Sequence, residues 1–195
     1  NTWDEAISTT ERLIDNSKQQ KKALMQQLLT SKKRLLDDSG KPFDGDWEEV
    51  TLGDVITHQK GYAFKSASYL SFGTRIIRIS DTNIDSIHDN SPVFINEGSE
   101  GDLNSYKLTT GDIILSTVGS RPHLLDSMVG KAVRIPKKDS NSLLNQNLVK
   151  LSPVDGVIIN EYLYLMLKEN RFIFFISTLV RGNANQVSIT LKELF

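Results

Sequence analysis

The sequence predicts an α+β protein: a long N-terminal helix of coiled-coil type, then a globular, largely β module with helices near its C-terminal end. Three observations carry this reading. A heptad-spaced apolar pattern opens the chain, with a start signal at Thr2 and a stop signal at Ser39-Gly40-Lys41-Pro42. From Trp47 onward the texture changes to short β-branched runs punctuated by glycine. Two apolar stretches of helical spacing follow near the end.

The helix comes first. Thr2-Trp3-Asp4-Glu5 has the form of a capping box, with Thr2 as the cap and Glu5 reaching back, and both acids suit the positive end of the helix dipole. Gly40 and Pro42 supply a residue tolerant of positive φ and then a breaker. Roughly 33 residues lie between, or about 50 Å of helix. Ile7, Ile14, Lys21, Leu28 and Leu35 recur every seven residues, with Thr10, Ser17, Leu24 and Ser31 interleaved. Leu13, Met25, Leu29 and Leu36 widen the apolar face beyond a two-stranded seam. Ile7, Ile14, Leu24, Leu28 and Leu35 are the helix-pairing candidates. Their partner is a second helix of the same subunit or of a second copy, or else the helix packs on its own domain. Residues 1–41 form this helical segment and 42–195 the module.

In the module the expected strands are Trp47–Thr51, Arg75–Ile79, Asp112–Thr117, Lys131–Ile135 and Leu144–Leu151. The expected helices run from about Asn160 to Lys168 and from Phe172 to Val180. There is no internal repeat and no low-complexity tract.

Composition sets outer bounds. Apolar residues make up 38% and charged residues 24%, as in an ordinary globular protein. The absence of cysteine excludes disulfides and thiolate-bound metal and fits a reducing, cytoplasmic location. The longest greasy run, Phe172–Val180, is broken by Ser177 and Thr178 and is too short to span a bilayer, so no membrane partner is expected. No secretory signal opens the chain, and it reads as a piece of a larger protein. Charge is uneven: residues 1–41 hold eight Lys/Arg against six Asp/Glu, the remainder fifteen against eighteen. A nucleic-acid binder usually carries a basic excess. Here phosphate contacts must come from a local patch or from partner subunits.

Catalytic constellations are missing. His58, His88 and His123 are scattered without metal-ligand spacing, and no phosphate-cradling or dinucleotide glycine motif occurs. Nor is there an Asn-Pro-Pro-aromatic element. No catalytic residue, metal or cofactor is assigned. Three polar segments instead suit a surface that reads nucleic acid. In Gln59–Ser66, Lys60 and Lys65 are placed for phosphate and Tyr62 for sugar or base, with Ser66 a further DNA-binding candidate, while Phe64 reads as a core plug. In Ser116–His123, Arg121 has the fork that pairs with guanine, and Ser116, Thr117, Ser120 and His123 stand beside it. In Arg181–Gln186, the amides of Asn183, Asn185 and Gln186 match the adenine edge. Each also reads as an ordinary turn, hairpin loop or helix cap. A fourth amide cluster, Asn145-Gln146-Asn147, falls within an expected strand, where its side chains satisfy buried backbone.

Taken in order, several of these segments resemble the specificity subunit of type I restriction–modification enzymes. Trp3–Ile7 through Leu24–Thr30 is similar to that family's spacer helix, and Trp47–Val55 to the opening of its target recognition domain. Gly61–Ser66, Arg75–Asp81, Leu108–Ser116 and Asn145–Leu148 continue the resemblance over nearly the whole chain. The resemblance implies a non-catalytic reader of one half of a split sequence in double-stranded DNA. It further implies antiparallel helices that fix the gap and dock the methyltransferase (modification) subunits, with methyl donor and nucleotide belonging to partners. It transfers the polar segments as locations only. The rival reading is a protein-interaction module with an assembly helix and no DNA reading.

Overall fold

The structure is a computed structural model that describes residues 2–42, 44–45, 48–96, 98, 101–122, 124, 128–183 and 186–195, with Asn183 described by its backbone alone. The chain divides into two compact units, Asn1–Glu49 and Val50–Phe195.

In the first unit, α1 spans Thr2–Leu29, 28 residues, or about 42 Å. Thr2 is itself helical, so it is not the cap expected there. The helix also stops short of the heptad pattern. Ser31 takes a positive φ of 59°, which a helix cannot continue through. Beyond it Asp37 organises a turn of its own: its Oδ1 accepts from Ser39 N–H (2.9 Å), the Ser39 hydroxyl (2.7 Å) and Lys41 N–H (3.0 Å). Such local side-chain bonds compete with helix formation. They also hold the Asp37 carboxyl below its usual range, the Ser39 hydroxyl being the main cause. Leu36 bridges Pro42 across this turn. Leu35 therefore lies off the helix and is withdrawn from the pairing face. Ile7, Ile14, Leu24 and Leu28 remain on α1, none of them buried.

The second unit contains, in chain order, α2 (Leu52–Val55), β1 (Ile56–Lys60), β2 (Thr74–Ile77), β3 (Val93–Ile95), β4 (Ile113–Ser116) and β5 (Val118–Gly119). There follow β6 (Ala132–Arg134), β7 (Leu143–Leu144), β8 (Leu148–Pro153), α3 (Asn160–Met166), α4 (Asn170–Leu179), β9 (Arg181–Asn183), β10 (Gln186–Ser188) and α5 (Leu191–Leu194). The expected strand at Trp47–Thr51 is absent over its described part, Glu48–Thr51, and Trp47 lies outside the described residues. Thr51 instead caps α2, with Asp54 Oδ2 accepting from its N–H (2.9 Å) and its hydroxyl (2.6 Å).

Among the described residues the module holds three small sheets: an antiparallel sheet ordered β1-β8-β4-β6, a mixed sheet β3-β2-β7 and a ribbon β5-β10-β9. The run Ile113-Ile114-Leu115 is apolar without alternation because β4 is covered on both faces. Ile113 and Leu115 enter one cluster with Val149, Leu151, Leu163 and Ile176, beneath α3 and α4. Ile114 enters a second with Ile77, Val133, Leu144 and Leu148, between the first two sheets. Phe64, Ile76, Ile95, Leu103 and Leu143 form a third cluster. Phe64 is thus the core plug its sequence suggested. Two lysines clasp the loop after β2: Lys131 Nζ donates to Thr82 O (2.7 Å), and Lys168 Nζ meets Ile84 O and Asp85 Oδ1 (3.1 Å). No helix among the described residues is long and apolar enough to cross a membrane.

Candidate nucleic-acid interface

The register of the central sheet assembles the site. Lys60 lies opposite Val149, and Ser116 opposite Leu148. The end of β1, the start of β8 and the end of β4 therefore share one end of the sheet. Here the chain turns three corners. Gly61 and Tyr62 leave β1, Asn145–Asn147 carry β7 into β8, and Thr117 carries β4 into β5.

Main-chain bonds tie these corners to one another. Gly61 N–H donates to Leu148 O (3.0 Å), Tyr62 N–H to Leu144 O (2.9 Å) and Gln146 N–H to Tyr62 O (2.9 Å). Thr117 N–H donates to Asn147 O (2.9 Å), and Ile189 N–H to Thr117 O (3.0 Å). The ribbon continues the chain of contacts, pairing Val118 with Ser188, Gly119 with Val187 and Gln186 with Asn183. A Cβ on residue 61 would stand 2.1 Å from Asn145 O, so only glycine permits the first corner to meet the second.

All the polar segments singled out in the sequence thus join through one continuous backbone network, although they lie far apart along the chain. Lys60, Lys65, Ser66, Arg121 and Gln186 are exposed there. Tyr62 is half-buried and packs its ring on Phe64 (4.8 Å) and edge-on to Tyr106 (5.3 Å), leaving part of it accessible. Ser120 is half-buried, with its hydroxyl 3.4 Å from Leu124 O. Arg181 is exposed and ion-paired with Glu193.

Two candidates are corrected. Ser116 is fully buried; its hydroxyl donates to Met128 O (3.0 Å) and accepts from Lys131 N–H (3.0 Å). Thr117 is buried as well, and its hydroxyl donates to Asn147 O (3.0 Å). Both hold corners together and present nothing to a base. The segment Arg181–Gln186 is also not a helix cap with a solvated turn. It is the β9–β10 hairpin, with Asn183 and Gln186 paired beside its tip. His123, Asn185 and the side chain of Asn183 lie outside what the structure describes. The expected strand Leu144–Leu151 is broken at Asn145–Asn147, which form the second corner. Asn145 is buried there, whereas Gln146 is exposed, a difference the alternating pattern of a strand concealed.

The electrostatics follow from composition. Segments 60–66, 116–122, 145–147 and 181–186 contain four Lys/Arg and no Asp/Glu, within a module whose overall balance is acidic. A local positive patch of this kind attracts phosphate without a basic domain. Among the described residues no group of His, Cys, Asp or Glu is arranged to hold a metal ion.

Comparison with known proteins bears on the family and the fold. The chain is 29% identical over 194 residues to the type I restriction enzyme EcoAI specificity subunit of Escherichia coli, covering 98% of this chain and 32% of that protein. The HsdS subunit of Thermoanaerobacter tengcongensis shares the fold with a TM-score of 0.55 at 18% identity, over 97% of this chain and 44% of that one. The type I restriction-modification S subunit of M. genitalium matches with a TM-score of 0.50 at 16% identity, over 76% of this chain and 32% of that one. The chain thus spans about a third of the E. coli relative's length and less than half of either solved chain. The sequence model of the type I restriction modification DNA specificity domain matches residues 44–194, more than half of the chain, and the protein belongs to that family.

Proposed function

We propose that this chain reads one half of a bipartite sequence in double-stranded DNA, as a non-catalytic part of a type I restriction–modification complex in the cytoplasm. The observation that supports this reading is that the segments carrying the exposed Lys60, Lys65, Arg121 and Gln186 are joined to one another, beyond one end of the central sheet, by main-chain bonds. Exposed Lys and Arg there hold phosphates, and Arg121 and the hairpin amides address base edges in the major groove. Hydrogen-bonded strands make a stiffer support for such contacts than free loops.

The helix α1 supplies the second half of the proposal. Its apolar face of Ile7, Ile14, Leu24 and Leu28 pairs with a second helix, in the parent subunit or in another copy, in coiled-coil fashion. The paired helices set the distance between two readers and dock the methyltransferase subunits, which carry methyl donor and nucleotide.

The test is a domain exchange in the intact parent subunit. Residues 50–195 are replaced by the equivalent module of a different system, and the methylated motif of the host genome is sequenced. A change confined to one half of the motif supports the reading. Methylation that persists with its motif unchanged refutes it and favours the protein-interaction module, whose supporting observation is the acidic balance of the domain.

A further inference from the structure

We infer that Gln146 is a base-reading residue, set against adenine and held in place by the three-way corner of the fold; this rests on the DNA-reading proposal above. Gln146 is exposed at the middle of the corner that joins β7 to β8. Its main chain has almost no freedom. Its N–H donates to Tyr62 O (2.9 Å), and on either side Asn145 N–H donates to Ile77 O (3.1 Å) and Thr117 N–H to Asn147 O (2.9 Å). The turn is closed by Leu148 N–H on Asn145 O (2.9 Å) and by the bridge between Tyr62 and Asn145. Asn145 is buried beneath it and Asn147 has its carbonyl occupied twice by Thr117.

Gln146 contrasts with both neighbours. Among the described residues neither its amide nor that of Asn147 makes a hydrogen bond, and of the two it is Gln146 that is exposed to solvent, Asn147 being half-buried. It stands between the segment of Lys60, Tyr62 and Lys65 and the segment that leads to Arg121, so phosphate contacts on either side would bring a duplex across it. A primary amide offers one donor and one acceptor side by side, the complement of adenine N6 and N7 in the major groove. A glutamine on a free loop loses side-chain and backbone entropy on binding. Here the backbone share is already spent in folding, so more of the contact's energy is left as affinity.

The test selects binding sequences from a pool of randomised duplexes, with this full chain and with Gln146→Ala and Gln146→Glu. The wild-type chain is expected to enrich a short motif containing adenine. Gln146→Ala is expected to lose preference at one base pair by roughly 5- to 150-fold, with the other positions of the motif unchanged. Gln146→Glu is expected to move the preference at that position toward cytosine, whose N4 amine a carboxylate accepts. Equal unfolding midpoints for all three chains show that the corner is intact, as an exposed side chain without bonds predicts. An unaltered motif in both variants overturns the role of Gln146 and leaves the DNA-reading proposal standing. A wild-type sequence that enriches no motif, either alone or within its assembled parent complex, overturns both.

Discussion

Replacing Gly61 with alanine tests the corner on which the site depends. The new methyl would stand 2.1 Å from Asn145 O, 2.4 Å from Asn145 C and 2.6 Å from Leu144 O, all backbone atoms that no rotamer change can move aside. Ordinary contact begins at 3.4 Å, so the end of β1 and the 144–145 backbone must part by roughly 1 Å. Three bonds lie across that gap: Gly61 N–H to Leu148 O, Tyr62 N–H to Leu144 O and Gln146 N–H to Tyr62 O, all between 2.9 and 3.0 Å. At about 0.5–1.5 kcal/mol each their loss costs about 2–4 kcal/mol, offset by up to ~1 kcal/mol from the stiffer unfolded chain. The expected net loss is about 2–3 kcal/mol, or roughly 6–10 °C in thermal midpoint for a unit of this size. Gly111 is the control. It sits at the opposite end of β4 with φ of +91° and open space around its Cβ position, so alanine there strains the backbone by about 1 kcal/mol without touching the corner. Thermal unfolding and duplex binding are measured for both variants. Gly61→Ala should lose stability and DNA binding together, whereas Gly111→Ala loses a little stability and keeps its binding. A Gly61→Ala chain with the midpoint and affinity of wild type would refute the packing of the corner.

Three further perturbations bear on other parts of the chain. Deleting four residues from the middle of α1 shortens it by about 6 Å, close to two base pairs of duplex. The spacer between the half-sites methylated by the parent complex should change accordingly, and an unchanged spacer rules out the helix as a ruler. Ser116→Ala leaves Met128 O and Lys131 N–H without the hydroxyl that joins them, at a cost of about 1–3 kcal/mol in denaturant unfolding. The enriched DNA motif should stay the same, and an altered motif would restore Ser116 as a reader. Burial lowers the pKa of Lys168 below 10.5, with Asp85 opposing the shift. The unfolded chain therefore holds the proton more tightly, so below the folded pKa the charged form carries a full desolvation cost. That cost is relieved as pH rises through the folded pKa toward 10.5. Unfolding free energy measured against pH should rise for wild type relative to Lys168→Met over this window, and parallel curves would refute the shift.

How much of this was legible in the sequence depends on where the information for each element resides. The strands β2, β4 and β6 and the helices α3 and α4 appear close to where their apolar patterns put them, because burial writes itself into local periodicity. The polar strands β1 and β9 were invisible, since Ile56-Thr57-His58-Gln59-Lys60 and Arg181-Gly182-Asn183 become strands only through pairing with β8 and β10. The helix overran because Leu28 and Leu35 keep the heptad while Ser31 and Asp37 break the backbone. Candidate segments were found as polar islands, but nothing local distinguished the buried hydroxyls of Ser116 and Thr117 from exposed ones. Gln146 was hidden for the converse reason. Apolar residues on both sides of Asn145–Asn147 made a corner look like the middle of one strand.

The shortage of basic residues makes one more prediction, about how this chain holds DNA on its own. The free cations described at the proposed interface are Lys60, Lys65 and Arg121, since Arg181 is engaged by Glu193. Each phosphate neutralised on B-DNA contributes about −0.9 to the slope of log K against log salt. With Arg121 on a base edge, Lys60 and Lys65 give about −1.8, and placing Arg121 and a freed Arg181 on phosphate as well would set the limit at about −3.6. Titrating this chain with a duplex carrying its motif, at several salt concentrations, should therefore give a slope no steeper than about −4. Lys60→Ala should flatten it by about one unit while leaving base preference alone. A much steeper slope would mean that phosphate is held by cations away from this end of the sheet, and the interface would have to be sought elsewhere. A shallow slope has a consequence for specificity. With little sequence-independent attraction to hold the chain on any duplex, the affinity that remains comes from base edges, and each mismatch costs about 1–3 kcal/mol of a small total. A reader with few phosphate contacts of its own is then more discriminating than a strongly basic one of equal affinity.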